Sequence, residues 1–187
     1  IGGQPTFFAS EERYSHRKND SGLPSGAVAA ALDHTGLSPE EIDSVVYYED
    51  PLLKVDRIAN MARRFHPDPD RYVRDLLRGN WDRKDKLDPV GAITELLGIE
   101  GRRVHHVDHH LSHAALAYFL SPFDRAIIIT IDGVGEYESL GVFLGEGGRI
   151  ERKASMRMPD SVGLLYSFFT GFCGFEVNEG EYKLMGL

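Results

Sequence analysis

The spacing of hydrophobic residues changes several times along the chain, and each change predicts an element. Thr6 to Ser10 is a short β-prone run that predicts a strand, and Pro24 opens an alanine-rich segment that predicts a helix to about Gly36. Ser38 to Glu41 carries a capping-box pattern typical of a brief helix, and Val45 to Tyr48 has the composition of a core strand. Strands and helices therefore alternate, which indicates an α/β fold.

The region from about residue 51 to residue 98 predicts a helical insertion. Apolar residues recur at mostly helical spacing from Leu52 to Leu77, with a break at His66 to Pro69, and a further helix is expected from Pro89 to Leu97. Its basic clusters are interpreted as solvated helix faces rather than ligand sites: Arg63 and Arg64; Arg83, Lys84 and Lys86.

The second half of the chain carries the strongest strand signal. Val104 to Val107 predicts a strand, followed by a helix through His113 to Leu120, and the apolar run Ala126 to Ile131 is expected to form the centre of the sheet. The turn at Glu146 to Gly148 predicts an antiparallel hairpin, and Ser161 to Phe172 predicts a buried helix.

Composition narrows the class of protein. The 187 residues, 42% hydrophobic and 27% charged, fit one soluble domain, and the formal charge of -8 disfavours a broad nucleic-acid-binding surface. We find no run of about 20 apolar residues and no signal peptide. The single cysteine, Cys173, predicts a small buried thiol and fits the cytoplasm. Since the chain starts without methionine and ends at Leu187 without a capping signal, we interpret it as a piece of a longer protein.

Histidines cluster near the middle of the chain, where five of the eight fall between His105 and His113. On a helix, His109 and His113 lie four apart on one face and are close enough to bind one metal ion, while His110 points elsewhere. Asp132, at the end of the most apolar strand, is the natural third ligand. The alternative to a metal site is that the histidines lie at a solvated or internally hydrogen-bonded helix start. His105 and His106 are either hydrogen-bond partners of the metal ligands or polar residues at a strand end.

Two glycine-bearing segments could contact phosphate. Gly133 and Gly135 lie in the turn that ends at Glu136, where backbone N–H groups can approach an anion, although an ordinary hairpin turn has the same pattern. Lys183 follows a polar loop with Asn178 and Gly180 and could complete such a site, or lie on the surface.

Several blocks of the chain, taken together, closely resemble the nodulation-protein and antibiotic-tailoring O-carbamoyltransferases. The blocks are Glu11 to Asp20 with Pro24, Asp108 to Ala115, Ser121 to Asp124, Thr130 to Glu136, Ser161 to Ser167, and Gly180 to Leu187. After Glu136 and Tyr137 the family pattern has small hydroxyl residues, whereas this chain has Glu138 before a single Ser139.

The resemblance implies a fold and an activity. The fold is a ribonuclease-H-like half of a domain of the sugar-kinase, actin and heat-shock-ATPase type, with a mixed sheet and flanking helices. This chain would be a single partial domain, with the N-terminal strand, the second half and an adenylate-forming domain outside it. The activity is transfer of a carbamoyl group from carbamoyl phosphate, through carbamoyl adenylate made with ATP, to a hydroxyl of a sugar or secondary metabolite.

The resemblance also implies roles for individual residues. His109, His113 and Asp132 would bind a divalent metal, Fe(II) or alternatively Zn, with a further aspartate ligand downstream. The catalytic base would be a histidine N-terminal to this chain. Contacts with the nucleotide or carbamoyl group are expected from Lys18, Gly133, Gly135, Glu136, Asn178, Gly180 and Lys183.

Other functions stay open on the sequence. Hydrogenase-maturation and tRNA threonylcarbamoyl transferases share the fold and the paired histidines, but Leu111 and Ser112 between the histidines fit the O-carbamoyl branch better. A non-catalytic fragment that binds metal or a partner chain is an alternative of another class. Small-molecule substrates are expected, without nucleic acid or membrane, and an exposed sheet edge would favour a homo-oligomer.

Overall fold

The computed structural model of the chain describes residues 3–18, 20, 22–79 and 88–187. These residues form two compact units, the first from the described parts of Ile1–Tyr47 and Asp70–His106, the second from Tyr48–Pro69 and Val107–Leu187. Helices alternate with parallel and antiparallel strand pairs, which confirms a mixed α/β protein. Within the described ranges, no helix is long and apolar enough to cross a membrane.

The elements follow in chain order. The helices are α1 (Glu12–Ser15), α2 (Ser25–Thr35), α3 (Pro51–Phe65), α4 (Pro69–Gly79), α5 (Pro89–Leu97), α6 (His109–Phe119), α7 (Val162–Phe172) and α8 (Glu181–Met185). The strands are β1 (Val45–Tyr47), β2 (Val104–His106), β3 (Arg125–Ile131), β4 (Glu138–Glu146) and β5 (Arg149–Arg157). Two 3₁₀ turns, Pro39–Glu41 and Gly101–Arg103, precede β1 and β2.

The first unit is built around a parallel strand pair. β1 pairs with β2, with Val45 opposite Val104, and α5 packs against β2. The buried core consists of Ile93, Leu97, Ile99 and Val104. α2 ends at Gly36, whose φ of 69° is the left-handed conformation that stops a helix without steric cost, and the capping box of Ser38 and Glu41 is formed as predicted.

The predicted strand at Thr6 to Ser10 is wrong. These residues have no regular structure, and the Phe8 side chain is 91% exposed. A β-prone run becomes a strand when a neighbouring backbone completes its hydrogen bonds, and in the described residues of this unit β1 and β2 pair with each other.

The predicted helices between residues 51 and 98 are confirmed where the structure describes them, and their role as an insertion stays a prediction. α3 begins after Asp50, whose carboxylate accepts the N–H groups of Leu52 and Leu53, and it ends before Pro67. α5 begins after Asp88 and ends at Gly98, with a φ of 65°. Arg63 and Arg64 are exposed, as expected for a solvated face, while Arg83, Lys84 and Lys86 lie outside the described residues.

The sheet of the second unit corrects one expectation. Its order is β3-β4-β5, all antiparallel, so among the described residues β4 is central and the run Ala126 to Ile131 belongs to an edge strand. The continuous apolar run suggested burial on both faces, but the faces differ. Ile128 and Thr130 are buried, whereas Ile127, Ile129 and Ile131 are exposed. The predicted β4–β5 hairpin is confirmed, with positive φ at both Gly147 and Gly148.

One face of this sheet is covered by α6. Ala114 and Tyr118 of the helix form a core with Ile128 and Phe143 of the sheet. Gly145 allows this close packing, since a Cβ there would lie 2.6 Å from the Tyr118 ring. This contact places the first turn of α6 beside the C-terminal end of β3.

α7 has the predicted position but not the predicted burial. Its large side chains are mostly exposed, with Phe172 at 77%, and Cys173 at its end is exposed rather than buried. An apolar run predicts burial only if an element covers it, and in the described residues most large side chains of α7 stay uncovered.

Candidate metal centre

The start of α6 is fixed by a helix cap. The Asp108 carboxylate accepts the N–H of Leu111 at 2.7 Å and pairs with Arg152 at 2.5 Å. Burial opposes the ionisation of Asp108, but these two partners outweigh it and lower its pKa. His109 is therefore held in the first turn of α6, with His113 one turn later on the same face.

Three donor atoms converge where α6 meets the end of β3. His109 Nε2 lies 2.8 Å from Asp132 Oδ2, His113 Nε2 lies 3.2 Å from His109 Nε2, and His113 Nε2 lies 3.5 Å from Asp132 Oδ2. One ion bound by such ligands, with bonds of about 2.0–2.2 Å, needs donors about 3–3.5 Å apart. Two imidazoles and a carboxylate also form a known donor set for Fe(II) and Zn. These residues fit a divalent metal.

Charge at the cluster suits a cation. The hydrogen bond from His109 lowers the pKa of Asp132 to about 2, aided by the Gly133 N–H at 2.7 Å. The same hydrogen bond raises the pKa of His109. The His113 and Asp132 side chains are 51% and 40% exposed, whereas that of His109 is 14% exposed. The cluster thus has a buried side at His109 and a side open to a ligand.

Packing orients the His109 ring. A Cβ on Gly135 would lie 2.9 Å from both His109 Cβ and Cδ2, so glycine is needed for the approach of the ring. The Tyr48 ring meets His109 edge-on, with centroids 5.8 Å apart. His109 Nδ1 is buried and has no hydrogen-bond partner in the described part of the chain. Van der Waals contacts therefore replace the second hydrogen bond that usually holds a ligating histidine.

Glu136 joins the starts of two helices. Its side chain is buried at 1% exposure, and both carboxylate oxygens lie 3.1 Å from the His109 N–H. One oxygen also accepts the N–H of Asp50 at 2.7 Å, next to the start of α3. Sequence reasoning gave Glu136 a nucleotide contact, which stays a prediction. In the structure its carboxylate is engaged by backbone donors.

The other histidines of the cluster have different surroundings. His110 is fully buried, with Nδ1 2.8 Å from Thr130 Oγ1 and Nε2 2.9 Å from the Glu138 carbonyl oxygen, so it links β3 and β4. This agrees with the helical spacing, which turned His110 away from His109. His105 and His106 are exposed on β2 in the first unit, as polar residues of a strand end.

The glycine turn supports the ligand carboxylate. Gly133 N–H donates to Asp132, and Gly135 N–H donates to the Glu138 carbonyl at 2.8 Å, so both amides have partners within the turn. Ser161 Oγ donates to the Gly133 carbonyl at 2.7 Å, and a Cβ on Gly163 would lie 2.4 Å from the Asp132 carbonyl oxygen. The start of α7 thus packs directly on the turn that carries Asp132.

The remaining predicted contacts lie elsewhere. Asn178 has a φ of 69° and donates its N–H to Glu181, and the buried Gly180 precedes α8. The exposed Lys183 ammonium lies 5.7 Å from the Tyr182 ring centre. Lys18 is exposed in the first unit. Nucleotide or carbamoyl contacts by these residues stay predictions.

Two groups of residues were missed by sequence reasoning. Tyr137 Oη donates to Asp56 at 2.6 Å and accepts from Asn60 at 2.7 Å, which fastens α3 to the turn. Glu138, where the family pattern has a small hydroxyl residue, is buried and paired with Arg152 and Arg157. The departure from the family pattern had marked Glu138, but not its arginine partners. No local signal identifies the contact between Tyr137 and Asp56, which lie 81 residues apart.

Comparison with known proteins shows the family of the chain. The model of the family described as "Carbamoyltransferase N-terminus" matches residues 2–187. The chain belongs to this family. Membership confirms the expected family.

Its relatives are much longer proteins. The chain is 37% identical to the uncharacterized protein sll1178 of Synechocystis, over 95% of this chain and 30% of the relative. It is 30% identical to the nodulation protein NolNO of Sinorhizobium fredii, over 99% of this chain and 26% of the relative. It is 33% identical to the nodulation protein NolO of Bradyrhizobium diazoefficiens, over 43% of this chain. The chain thus spans less than a third of the length of these relatives.

Proposed function

We propose that this chain is the metal-bearing part of an ATP-linked O-carbamoyltransferase. The observation that carries the proposal is the convergence of His109, His113 and Asp132, with donor atoms 2.8–3.5 Å apart, in a chain of the carbamoyltransferase family. The ribonuclease-H-like fold implied by the resemblance belongs to the same proposal, as does action in the cytoplasm.

His109, His113 and Asp132 would hold the metal, Fe(II) or Zn. A divalent ion supplies charge neutralisation for a phosphate leaving group and polarisation of a carbamoyl carbonyl. Asp132 contributes a carboxylate that is ionised at any physiological pH, since its pKa is about 2. His109 would hold the metal in its unprotonated form, because a ligating imidazole nitrogen must be unprotonated.

The proposed substrates are carbamoyl phosphate, ATP and an alcohol. In the transfer step, the acceptor oxygen forms a bond to the carbamoyl carbon, the bond from that carbon to the phosphate oxygen of the adenylate breaks, and AMP leaves. The hydroxyl proton passes to a base outside this chain. The 40% exposure of the Asp132 side chain supports access of a small substrate. The candidate nucleotide or carbamoyl contacts stay those that the resemblance implies: Lys18, Gly133, Gly135, Glu136, Asn178, Gly180 and Lys183.

The test is an assay of the full-length protein that contains this chain. ATP, radiolabelled carbamoyl phosphate and a panel of sugars and secondary-metabolite alcohols are supplied, and label transfer and AMP release are measured. We expect acceptor-dependent transfer that Asp132→Asn abolishes and that Asp70→Asn, an exposed change on α4, preserves. Full activity in Asp132→Asn would contradict the proposal.

A further inference from the structure

His110 is a fully buried polar side chain between the first turn of α6 and the sheet. Its Nε2 lies 2.9 Å from the Glu138 carbonyl oxygen, and its Nδ1 lies 2.8 Å from Thr130 Oγ1. A carbonyl oxygen can only accept, so Nε2 donates to Glu138 and leaves Nδ1 as the acceptor for the Thr130 hydroxyl. One imidazole ring therefore joins α6 to both β3 and β4.

This bridge lies directly beside the contact between the proposed metal ligands. His109 and His110 are consecutive on α6, and Asp132 follows Thr130 by two positions at the end of β3. Alternate residues of a strand face the same side of the sheet. Two neighbouring helix residues thus meet two alternate strand residues, with 2.8 Å from His109 Nε2 to Asp132 Oδ2 and 2.8 Å from His110 Nδ1 to Thr130 Oγ1.

The proposed ligands have more freedom than the bridge. The His113 and Asp132 side chains are 51% and 40% exposed, and His109 Nδ1 has no hydrogen-bond partner among the residues that the structure describes. Glu136 holds the His109 N–H from the turn, whereas His110 ties α6 to β3, the strand that leads into Asp132. A metal site needs its donors within about 0.5 Å of the productive geometry, so a buried tie between the two ligand-bearing elements affects how well the donors converge.

We propose that His110 and Thr130 are positioning residues that set the gap between the histidine pair on α6 and Asp132, and thereby the affinity of the centre for a divalent metal. The proposal rests on the metal-binding part of the proposed function. The alternative is a histidine that only satisfies the core. That alternative predicts a loss of stability on substitution, without an effect on the metal.

The test compares Thr130→Val, which keeps the branched shape and removes the hydroxyl, with Thr130→Ser, which keeps the hydroxyl. The matched control is Tyr118→Phe, which removes another hydroxyl from α6, about two turns further along the helix, where it donates to the Asp124 carbonyl at 2.8 Å. Each variant is made in the full-length protein that contains this chain. Thermal unfolding, zinc affinity by competitive titration and the absorption spectrum of the cobalt-loaded protein are measured.

We expect Thr130→Val to bind zinc about tenfold more weakly and to change the cobalt spectrum, because the donor geometry shifts. Thr130→Ser should return both readouts towards the parent values. Tyr118→Phe should lower Tm while keeping the zinc affinity and the cobalt spectrum of the parent. A Thr130→Val protein that lost only Tm, as Tyr118→Phe should, would overturn the inference.

His110→Phe tests the same bridge from the helix. Because both residues act through one contact, the double variant His110→Phe/Thr130→Val should bind zinc about as weakly as His110→Phe alone, and additive losses would contradict the bridge. The outcomes also separate this inference from the proposed function. A parent that binds no divalent metal refutes the proposed function and this inference with it, whereas zinc bound equally by the parent and all these variants overturns the inference alone.

Discussion

Glu136→Gln removes the charge that joins the starts of α3 and α6. In the structure both Glu136 oxygens lie 3.1 Å from the His109 N–H, and one accepts the Asp50 N–H at 2.7 Å. Glutamine has one acceptor oxygen, and its NH₂ group would face one of these N–H donors. A glutamine oxygen at the position of Oε1 would still accept both N–H groups, but as a neutral acceptor, and the NH₂ group would oppose the His109 N–H, so the first turn of α6 would be less firmly held.

The size of this effect follows from those bonds. A hydrogen bond to a charged group contributes about 1.5–3 kcal/mol, against about 0.5–1.5 kcal/mol for a bond to a neutral acceptor, so each of the two bonds weakens by about 1 kcal/mol or more. We therefore expect a loss of about 2–4 kcal/mol in the free energy of unfolding, or roughly 5–15 °C in Tm for a chain of this length. Since His109 is the residue displaced, divalent-metal affinity should fall about tenfold.

The assay is thermal unfolding combined with a competitive zinc titration. Glu151→Gln is the control, because Glu151 is an exposed strand residue whose ion pair with Lys153 should contribute less than about 1 kcal/mol. If Glu136→Gln matched the parent in both Tm and zinc affinity, Glu136 would not position His109, and its carboxylate would be available for the nucleotide contact instead.

Two further changes test neighbouring contacts. Gly135→Ala places a Cβ 2.9 Å from His109, so it should lower the free energy of unfolding by about 1–3 kcal/mol and weaken zinc binding. Gly133→Ala is the control and should cost less, because its Cβ would lie 3.5 Å from Leu164. Equal losses in the two variants would refute the role of Gly135. The hydrogen bond from the Asn178 N–H lowers the pKa of Glu181 from its usual value of 4.5. The ionised Glu181 therefore stabilises the fold above pH 4.5, and this stabilisation is lost as the pH falls through the lowered pKa. The Tm difference between parent and Glu181→Gln should therefore close in acid, and a difference that grows there would contradict this contact.

Helix ends and the hairpin could be predicted because their signals are local. Gly36 and Gly98 adopt the positive φ that ends α2 and α5, and the paired glycines at 147 and 148 form the β4–β5 turn. His109 and His113 share a helix face because they are four apart, and their meeting with Asp132 follows from its place at the end of a strand. Rules that act over a few residues were sufficient for the helix ends, the hairpin and the histidine pair, while the meeting with Asp132, 23 residues from His109, also needed the rule that ligands lie at strand ends.

Features that depend on distant partners could not be predicted. The run ending at Ile131 has the composition of a central strand, yet its position at the sheet edge is set by pairing. Glu136 looked like a ligand residue because it follows a glycine turn, but its oxygens meet N–H groups 27 and 86 residues away. The helical spacing turned His110 away from the metal ligands, but its bonds to residues 20 and 28 positions away are visible only in three dimensions.

The most direct test of the central claim is the metal content of anaerobically purified protein. The parent is compared with His109→Ala, His113→Ala and Asp132→Asn, and with His105→Ala as a control at an exposed residue of β2. We expect near-stoichiometric iron or zinc in the parent and in His105→Ala, and loss of the metal in the other three variants. A parent that binds no divalent metal, or three variants that retain it, would contradict the proposed centre.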